Sequence, residues 1–344
     1  MLFIDKKWVE MKNSKSVRYL LSLFLSAVFL FVIVSQMDAS EKIGRPVRVV
    51  SLCFRNEGLD KIAKIIDKEG AKGTDIIVLP ETWSGQLRPE TLEGETIAAL
   101  SKLAKKHNTY ILSPIDRTDG KFRYNSAVLI NREGRVVFVY DKVYPYWNEF
   151  DLEPPVTPGT NSGVVYDTDF GRIGIAICYD VNFPEIWQSL REKGAEVVFW
   201  PSAYSAGLQL QAYALLHHYY IVTSTYSKDC QVYDITGQRI LDEKNDDITV
   251  ARITLDLDRG IYHENFNMGK LNKLLKIHGN EVEKELYMPR EEWFVLRAKK
   301  PGVSARWLAK EFEMEELTDY QNRSRKEIDK KRNSGFPRKL YLPE

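Results

Sequence analysis

From residue 47 onward, short β-branched runs alternate with stretches whose apolar residues recur every three or four positions. The first kind reads as strand and the second as amphipathic helix. VRVVSLCF (47–54) predicts a strand, GLDKIAKIIDKEGAK (58–72) a helix and DIIVLPE (75–81) a second strand. ETIAALSKLAKKHN (95–108) has helical period, TYILSPI (109–115) is extended, and YNSAVLIN with RVVFVYDK forms a hairpin-like pair around Glu133-Gly134. RIGIAICYD (172–180) then predicts a strand, PEIWQSLREKG (184–194) a helix and AEVVFWPSAY (195–204) another strand. QLQAYALLHHYYIVTST reads as one helix, followed by two strands flanking Thr236-Gly237 and a last one at ITVARITLDL. Such alternation predicts an α/β fold whose sites lie at the C-terminal ends of strands. It stops near residue 258. The tail to 344 is charged and reads as helical, with Trp307, Leu308 and Phe312 as its apolar face.

One segment breaks the pattern. Residues 19–34, YLLSLFLSAVFLFVIV, carry no charge, follow Lys6, Lys7, Lys12, Lys15 and Arg18, and precede the polar SQMDASEK. A basic stretch leading into an apolar run is the arrangement of a secretory signal. The run is long for a signal core and short of the roughly 20 residues of a spanning helix. Residues 1–40 are therefore expected to be a signal peptide or a membrane anchor. The protein is then exported, to the periplasm or outside the cell, or attached to a membrane through residues 19–36. Ala39-Ser40 offers only a weak cleavage site, and Met11 is an alternative start.

Composition narrows the picture in two ways. The 344 residues carry 49 basic and 48 acidic side chains, a balance unlike that of a nucleic-acid binder. Without residues 1–40, 44 basic side chains face 45 acidic ones, so the body is neutral. Three cysteines, Cys53, Cys178 and Cys230, are too few and too scattered for a disulfide framework or a zinc site.

Three strand ends stand out because a polar residue closes an apolar run: Glu81 after DIIVLP, Lys142 after RVVFVYD and Cys178 after RIGIAI. Taken singly, each is ordinary: a capping carboxylate, an edge charge, a core thiol. Together, with VLPETWSG, DKVYPYWNE, GIAICYDVNFPEIW and VVFWPSAY around and after them, they resemble the nitrilase superfamily of carbon–nitrogen hydrolases. TPGT at 157–160 and the closing DLDRG are similar to that family's turns, and the likeness runs in order from about 47 to 260. The resemblance implies a four-layer α-β-β-α sandwich over residues 45–260 and a catalytic triad of Glu81, Lys142 and Cys178. It also implies a second glutamate after the lysine. Glu149 has the motif's spacing, and Glu153 competes with it.

The chemistry such a triad needs is plain. A thiol with an ordinary pKa of about 8.5 needs a base or a nearby cation to become a nucleophile. A carboxylate can take its proton and later activate water, while an ammonium beside the scissile carbon can stabilise an oxyanion. Buried alone, Lys142 would lose its charge, so it should lie against the carboxylates. The Tyr179 amide is a candidate second oxyanion donor. No histidine, metal ion or organic cofactor is required.

Within the resembled family, nitrile-hydrolysing members read Cys-Trp-Glu at the nucleophile, whereas amidases and N-carbamoyl hydrolases read Cys-Tyr-Asp with Phe-Pro-Glu following. This chain has Cys178-Tyr179-Asp180 and Phe183-Pro184-Glu185, which points to a small-molecule amide or carbamoyl substrate. Asp180 orients the loop, contacts substrate or caps the helix begun at Pro184. Trp147, Tyr204, Trp83 and Phe183 are aromatic candidates for the pocket, or core filler. No arginine reads as a carboxylate receptor: Arg172 and Arg191 are as easily surface residues. His217 and His218 read as packing or surface residues, and Cys53 and Cys230 as core thiols. Two other readings stand beside the hydrolase: an acyltransferase, whose membrane-bound relatives carry several spanning helices, and a non-catalytic scaffold, expected to have lost one of the three groups. Residues 261–344 are expected to form a C-terminal extension, an arm of a homodimer or larger homo-oligomer.

Overall fold

In the computed structural model, residues 42–85, 88–160 and 162–334 are described. The expectations for residues 1–40 lie outside them. Among the described residues no helix is long and apolar enough to cross a membrane. The described chain divides into two compact units. The larger holds Arg45–Leu257, Ile261–His263 and the chain from Glu315; the smaller holds residues 42–44, Asp258–Gly260 and Glu264–Met314.

The larger unit begins with β1 (Pro46–Cys53), α1 (Leu59–Gly70), β2 (Ile76–Val78), α2 (Glu95–His107), β3 (Tyr110–Thr118), β4 (Arg123–Ile130) and β5 (Val136–Asp141). It continues with β6 (Val165–Asp167), β7 (Arg172–Ile175), α3 (Pro184–Glu192), β8 (Val197–Ser202), α4 (Leu208–His217), β9 (Tyr220–Thr225), β10 (Asp229–Tyr233), β11 (Arg239–Lys244) and β12 (Thr249–Asp256). Two six-stranded sheets result, ordered β12-β1-β2-β3-β4-β5 and β11-β10-β9-β8-β7-β6. Each centres on a parallel triplet, β1-β2-β3 in one and β7-β8-β9 in the other. A β-α-β-α-β crossover builds each triplet, and this places the C-terminal ends of its strands along one edge.

Helix periodicity decides which faces meet. Ile62 and Ile66 of α1 and Ile97, Leu100 and Ala104 of α2 pack on Val50, Leu52, Ile77 and Ile111 of the first sheet. Ile186, Trp187 and Leu190 of α3 and Leu210 and Ala214 of α4 cover Val198, Trp200 and Ile221 of the second. The sheets join directly: Ser51 Oγ donates to the Thr223 carbonyl at 2.6 Å, and Ser224 Oγ donates to the Leu52 carbonyl at 2.6 Å. The order helix, sheet, sheet, helix is the four-layer α-β-β-α sandwich expected from the resemblance.

Three sequence expectations need correction. QLQAYALLHHYYIVTST is not one helix: α4 stops at His217, His218 takes a left-handed φ of 57°, and Tyr220–Thr225 is the fully buried strand β9. Its β-branched run favours a strand over continued helix. RIGIAICYD leaves the sheet at Ile175, and Cys178–Asn182 form a 3₁₀ turn. The tail is not uniformly helical. The smaller unit holds α5 (Glu264–His278), a hairpin of β13 (Val282–Met288) and β14 (Trp293–Ala298), and α6 (Ala305–Glu311). Phe294, Val295 and Leu296 are buried in β14, a short apolar run that the charged average of the tail conceals. On α6 the buried face is Ala305, Leu308 and Ala309, while Trp307 is 59% exposed. Helix α7 (Leu317–Asn333) returns to the larger unit, where Arg191 of α3 donates to Gln321 at 2.5 Å.

Candidate active site

Strand ends at one edge of the two sheets converge on a cavity of about 500 Å³. After β2, Leu79 and Pro80 lead to Glu81, and Thr82 then turns the chain with φ 37°. Lys142 follows β5 directly. After β7 the backbone reaches Cys178, whose φ of 45° is a conformation that a side-chain-bearing residue adopts at a cost and only where its surroundings hold it. Both sheets therefore contribute, the first with Glu81 and Lys142 and the second with Cys178.

Lys142 is 1% exposed and its Nζ bridges two carboxylates, donating to Glu81 Oε1 at 2.8 Å and Glu149 Oε2 at 2.5 Å. Asn125 of β4 donates through the same Nδ2 to Glu81 Oε1 at 2.7 Å and Glu149 Oε1 at 2.8 Å. Glu81 Oε2 accepts the Ala203 N–H at 2.8 Å, and Glu149 Oε2 accepts the Tyr146 N–H at 2.6 Å. Burial alone would strip the proton from Lys142; the Glu81 and Glu149 carboxylates more than offset that and hold it above its ordinary pKa.

Cys178 is 8% exposed. Burial pushes its thiol well up and the Glu81 charge adds to the rise, while the Lys142 ammonium, the Ser202 hydroxyl and the Ala203 N–H pull the other way. The resting group is a neutral thiol. The Ala203 N–H that acts on the thiol is the one Glu81 Oε2 accepts, and Glu81, Cys178 and Ala203 line the same cavity. The Cys178 carbonyl is held in turn by Trp200 Nε1 at 3.1 Å.

The other residues singled out in the sequence divide. Glu149, Tyr179 and Tyr204 line the cavity with Glu81, Lys142 and Cys178. Glu149 is buried and paired, whereas Glu153 is exposed. Tyr204 has its phenol pushed up to about 12, first by burial, with the Glu81 carboxylate adding to the rise. Trp147 does not line the cavity: it is 64% exposed and lies against Tyr146. Phe183 is not in the wall either; its ring stacks on Tyr144 at 3.6 Å between centroids and meets Tyr179 edge-on. Trp83 is core, donating through Nε1 to Ser113 Oγ at 2.9 Å. His217 stacks on Tyr213, and burial holds both His217 and His218 down to about 4.

Asp180 does not reach the cavity. It is fully buried, with Oδ2 accepting the Tyr140 hydroxyl at 2.8 Å and the Ile177 N–H at 2.9 Å, and Oδ1 accepting the Tyr144 N–H at 3.0 Å. It does not cap α3, whose N-cap is Phe183; through the Ile177 N–H it caps the 3₁₀ turn Cys178–Asn182, and it clamps the loop that carries Cys178 to the chain after Lys142. Burial lifts its carboxyl to about 6, against the opposing pull of these donors. Asp180→Asn turns an amide donor toward one of these donors and is expected to cost about 2 kcal/mol. A thermal melt should show a midpoint roughly 4–8 °C lower; an unchanged midpoint refutes the clamp.

Several cavity residues carried no signal in the sequence. Asn125, behind the cavity, sits in the polar first half of β4 beside Arg123 and Ser126, and its importance appears only when Glu81 and Glu149 arrive from elsewhere. Arg55, Tyr146 and Tyr226 also line the wall. Among the described residues no group of three or more His, Cys, Asp or Glu side chains is placed to hold a metal ion.

The chain is similar in sequence and fold to known proteins. The sequence profile described as carbon-nitrogen hydrolase matches residues 50–262. Beta-ureidopropionase of Arabidopsis thaliana is 33% identical over 159 residues, a match covering 42% of this chain and only 39% of that protein. Citrullinase of Francisella tularensis is 29% identical over 221 residues, covering 60% of this chain and 77% of that one. Saccharomyces cerevisiae Nit3, a member of branch 10 of the nitrilase superfamily, superposes with a TM-score of 0.55 at 20% identity over 67% of this chain and 96% of its own, and so shares the fold. With the profile matched across more than half its length, this chain belongs to the carbon-nitrogen hydrolase family of the nitrilase superfamily.

Proposed function

We propose that the protein hydrolyses a linear amide or N-carbamoyl compound, at a C–N bond other than a peptide bond, through a thioester on Cys178. The observation that carries this is the convergence of Glu81, Lys142 and Cys178 on the floor of one cavity. Glu81 takes the thiol proton as sulfur attacks the carbonyl carbon, so the thiolate forms only as the new bond does. The Lys142 ammonium and the Tyr179 N–H stabilise the oxyanion. Glu81 returns its proton to the departing nitrogen, and ammonia or an amine leaves. Water then surrenders a proton to Glu81 and attacks the thioester; the carbon–sulfur bond breaks and the sulfur regains a proton. Glu149 holds Lys142 in place throughout.

The amide and carbamoyl preference rests on Cys178-Tyr179-Asp180 and on relatives whose names are ureidopropionase and citrullinase. Ammonia release measured across simple amides, N-carbamoyl amino acids and nitriles tests it. Turnover of an amide or carbamoyl compound is expected. Turnover of nitriles alone refutes the preference, and absence of release from every class counts against hydrolysis itself.

A further inference from the structure

Glu81 carries its donors unevenly. Its Oε1 accepts two, Lys142 Nζ at 2.8 Å and Asn125 Nδ2 at 2.7 Å, whereas Oε2 accepts the Ala203 N–H at 2.8 Å. The other N–H of the Asn125 amide goes to Glu149 Oε1 at 2.8 Å, so Asn125 and Lys142 bridge the same two carboxylates. Asn125 is 1% exposed and lies behind the cavity wall. Its backbone joins in, the carbonyl accepting the Lys142 N–H at 2.8 Å. Asn125 Oδ1 is buried and has no hydrogen-bond partner among the described residues. The amide is therefore oriented by its donors alone; turned over, it would set Oδ1 against two carboxylate oxygens. The charged groups around it are Glu81, Glu149, Lys142 and, opposite it on β3, Asp116, which Arg123 holds at 2.8 and 2.5 Å.

A carboxylate takes a proton most readily at the oxygen with fewer donors, because each N–H favours the charged form. We infer that Asn125 is a positioning residue of the reaction: with Lys142 it fills Glu81 Oε1 and leaves Oε2 as the oxygen that takes and returns the proton. This rests on the hydrolase reading above and adds the path of the proton to it. Oε2 shares the Ala203 N–H that acts on the Cys178 thiol. The proton passes from sulfur to Oε2 as the carbon–sulfur bond forms, and from Oε2 to the departing nitrogen as the C–N bond breaks. Without the Asn125 amide each Glu81 oxygen has a single donor, and both carboxylates lose a group that keeps them charged.

Alkylation of Cys178 by iodoacetamide tests this without a known substrate, since the thiol proton leaves as a carbon–sulfur bond replaces the carbon–iodine bond. Its rate against pH, read by mass on the Cys178 peptide, is set beside kcat and KM for the amide or carbamoyl compound that the wild type turns over fastest. Asn125→Leu should lower alkylation near pH 7 and kcat alike, about 10- to 100-fold, the worth of a hydrogen bond to a charged group. KM should hardly move, because the side chain lies behind the cavity, and the acid limb of both profiles should shift to higher pH. Asn125→Asp keeps the size of the side chain, but its carboxyl, packed against two others, donates only while it holds a proton. Its activity should fall as pH rises through the range where the wild type is flat, a reversal that lost packing does not give. If a thermal melt shows that Asn125→Leu does not fold, the Asn125→Asp profile decides alone. Wild-type alkylation and kcat in Asn125→Leu, a loss confined to KM, or an Asn125→Asp profile of wild-type shape overturns the assignment. If wild-type Cys178 resists iodoacetamide and no amide or carbamoyl compound is hydrolysed, the reading beneath fails instead.

Discussion

Cys178→Ala lowers ammonia release by at least about 10⁴-fold, the scale on which removal of a catalytic nucleophile acts, and leaves the fold standing. Both halves follow from the site. Nothing else in the cavity replaces the sulfur: Lys142 is an ammonium locked between two carboxylates, and the Tyr204 phenol is pushed up to about 12. The remaining thiols, Cys53 and Cys230, are fully buried elsewhere in the sheets, with Cys230 Sγ donating to the Thr223 carbonyl at 3.4 Å. The fold survives because the network of Glu81, Lys142, Asn125 and Glu149 closes without the sulfur. Steady-state kinetics with a thermal melt read the two together. Mass spectrometry of the wild-type protein quenched during turnover adds a positive sign: the acyl increment should map to the Cys178 peptide and be absent from those of Cys53 and Cys230. Residual turnover within tenfold of wild type removes Cys178 from the nucleophile's position.

Much of the candidate site was legible from residue order because the groups that meet at the cavity close apolar strands, and a polar residue after a buried run is visible in one dimension. Glu81, Lys142 and Cys178 share that signature. Glu149 was legible only through the motif spacing, and its choice over Glu153 became physical once its Oε2 was found on Lys142. What stayed hidden depends on register between distant strands. Asn125 matters because β4 lies between β3 and β5, which sets its amide between two carboxylates drawn from other segments. Arg55 carries no signal in the sequence; the parallel pairing of β1 with β2 brings the chain after β1 to the cavity. Trp147 and Phe183 failed for the opposite reason. They lie beside the right strand ends, but nearness in sequence does not fix direction, and Tyr144 and Tyr146 take up their rings. The helix drawn through His218 into Tyr220–Thr225 failed where a β-branched run followed a helical one without a glycine to mark the join.

Lys142 should show the largest combined effect on stability and turnover. In Lys142→Met two carboxylates are left in one buried space with only the Asn125 amide between them. Breaking a buried pair by removing one partner costs about 3–5 kcal/mol, which places the thermal midpoint roughly 6–20 °C lower. Turnover falls by at least about 10³-fold because the cation at the oxyanion is gone. The dependence on pH has a definite sign. In the wild type, Lys142 is held above its ordinary value of 10.5, so its contribution is complete below that value and fades as pH rises through the folded one. In Lys142→Met the two like charges force one carboxyl to hold its proton above its ordinary range, so the folded variant binds the extra proton and its deficit narrows as pH falls from 7 toward 4. A stability gap between wild type and variant that widens in acid contradicts this. A second change separates structure from chemistry. Lys142→Met with Glu149→Gln removes one of the two carboxylate charges and should recover part of the lost stability at pH 7, because Glu81, held by the Asn125 amide and the Ala203 N–H, then meets no like charge. It should recover none of the turnover. If the double variant regains activity along with its midpoint, the ammonium acts only by holding the carboxylates apart, and the oxyanion rests on the Tyr179 amide alone.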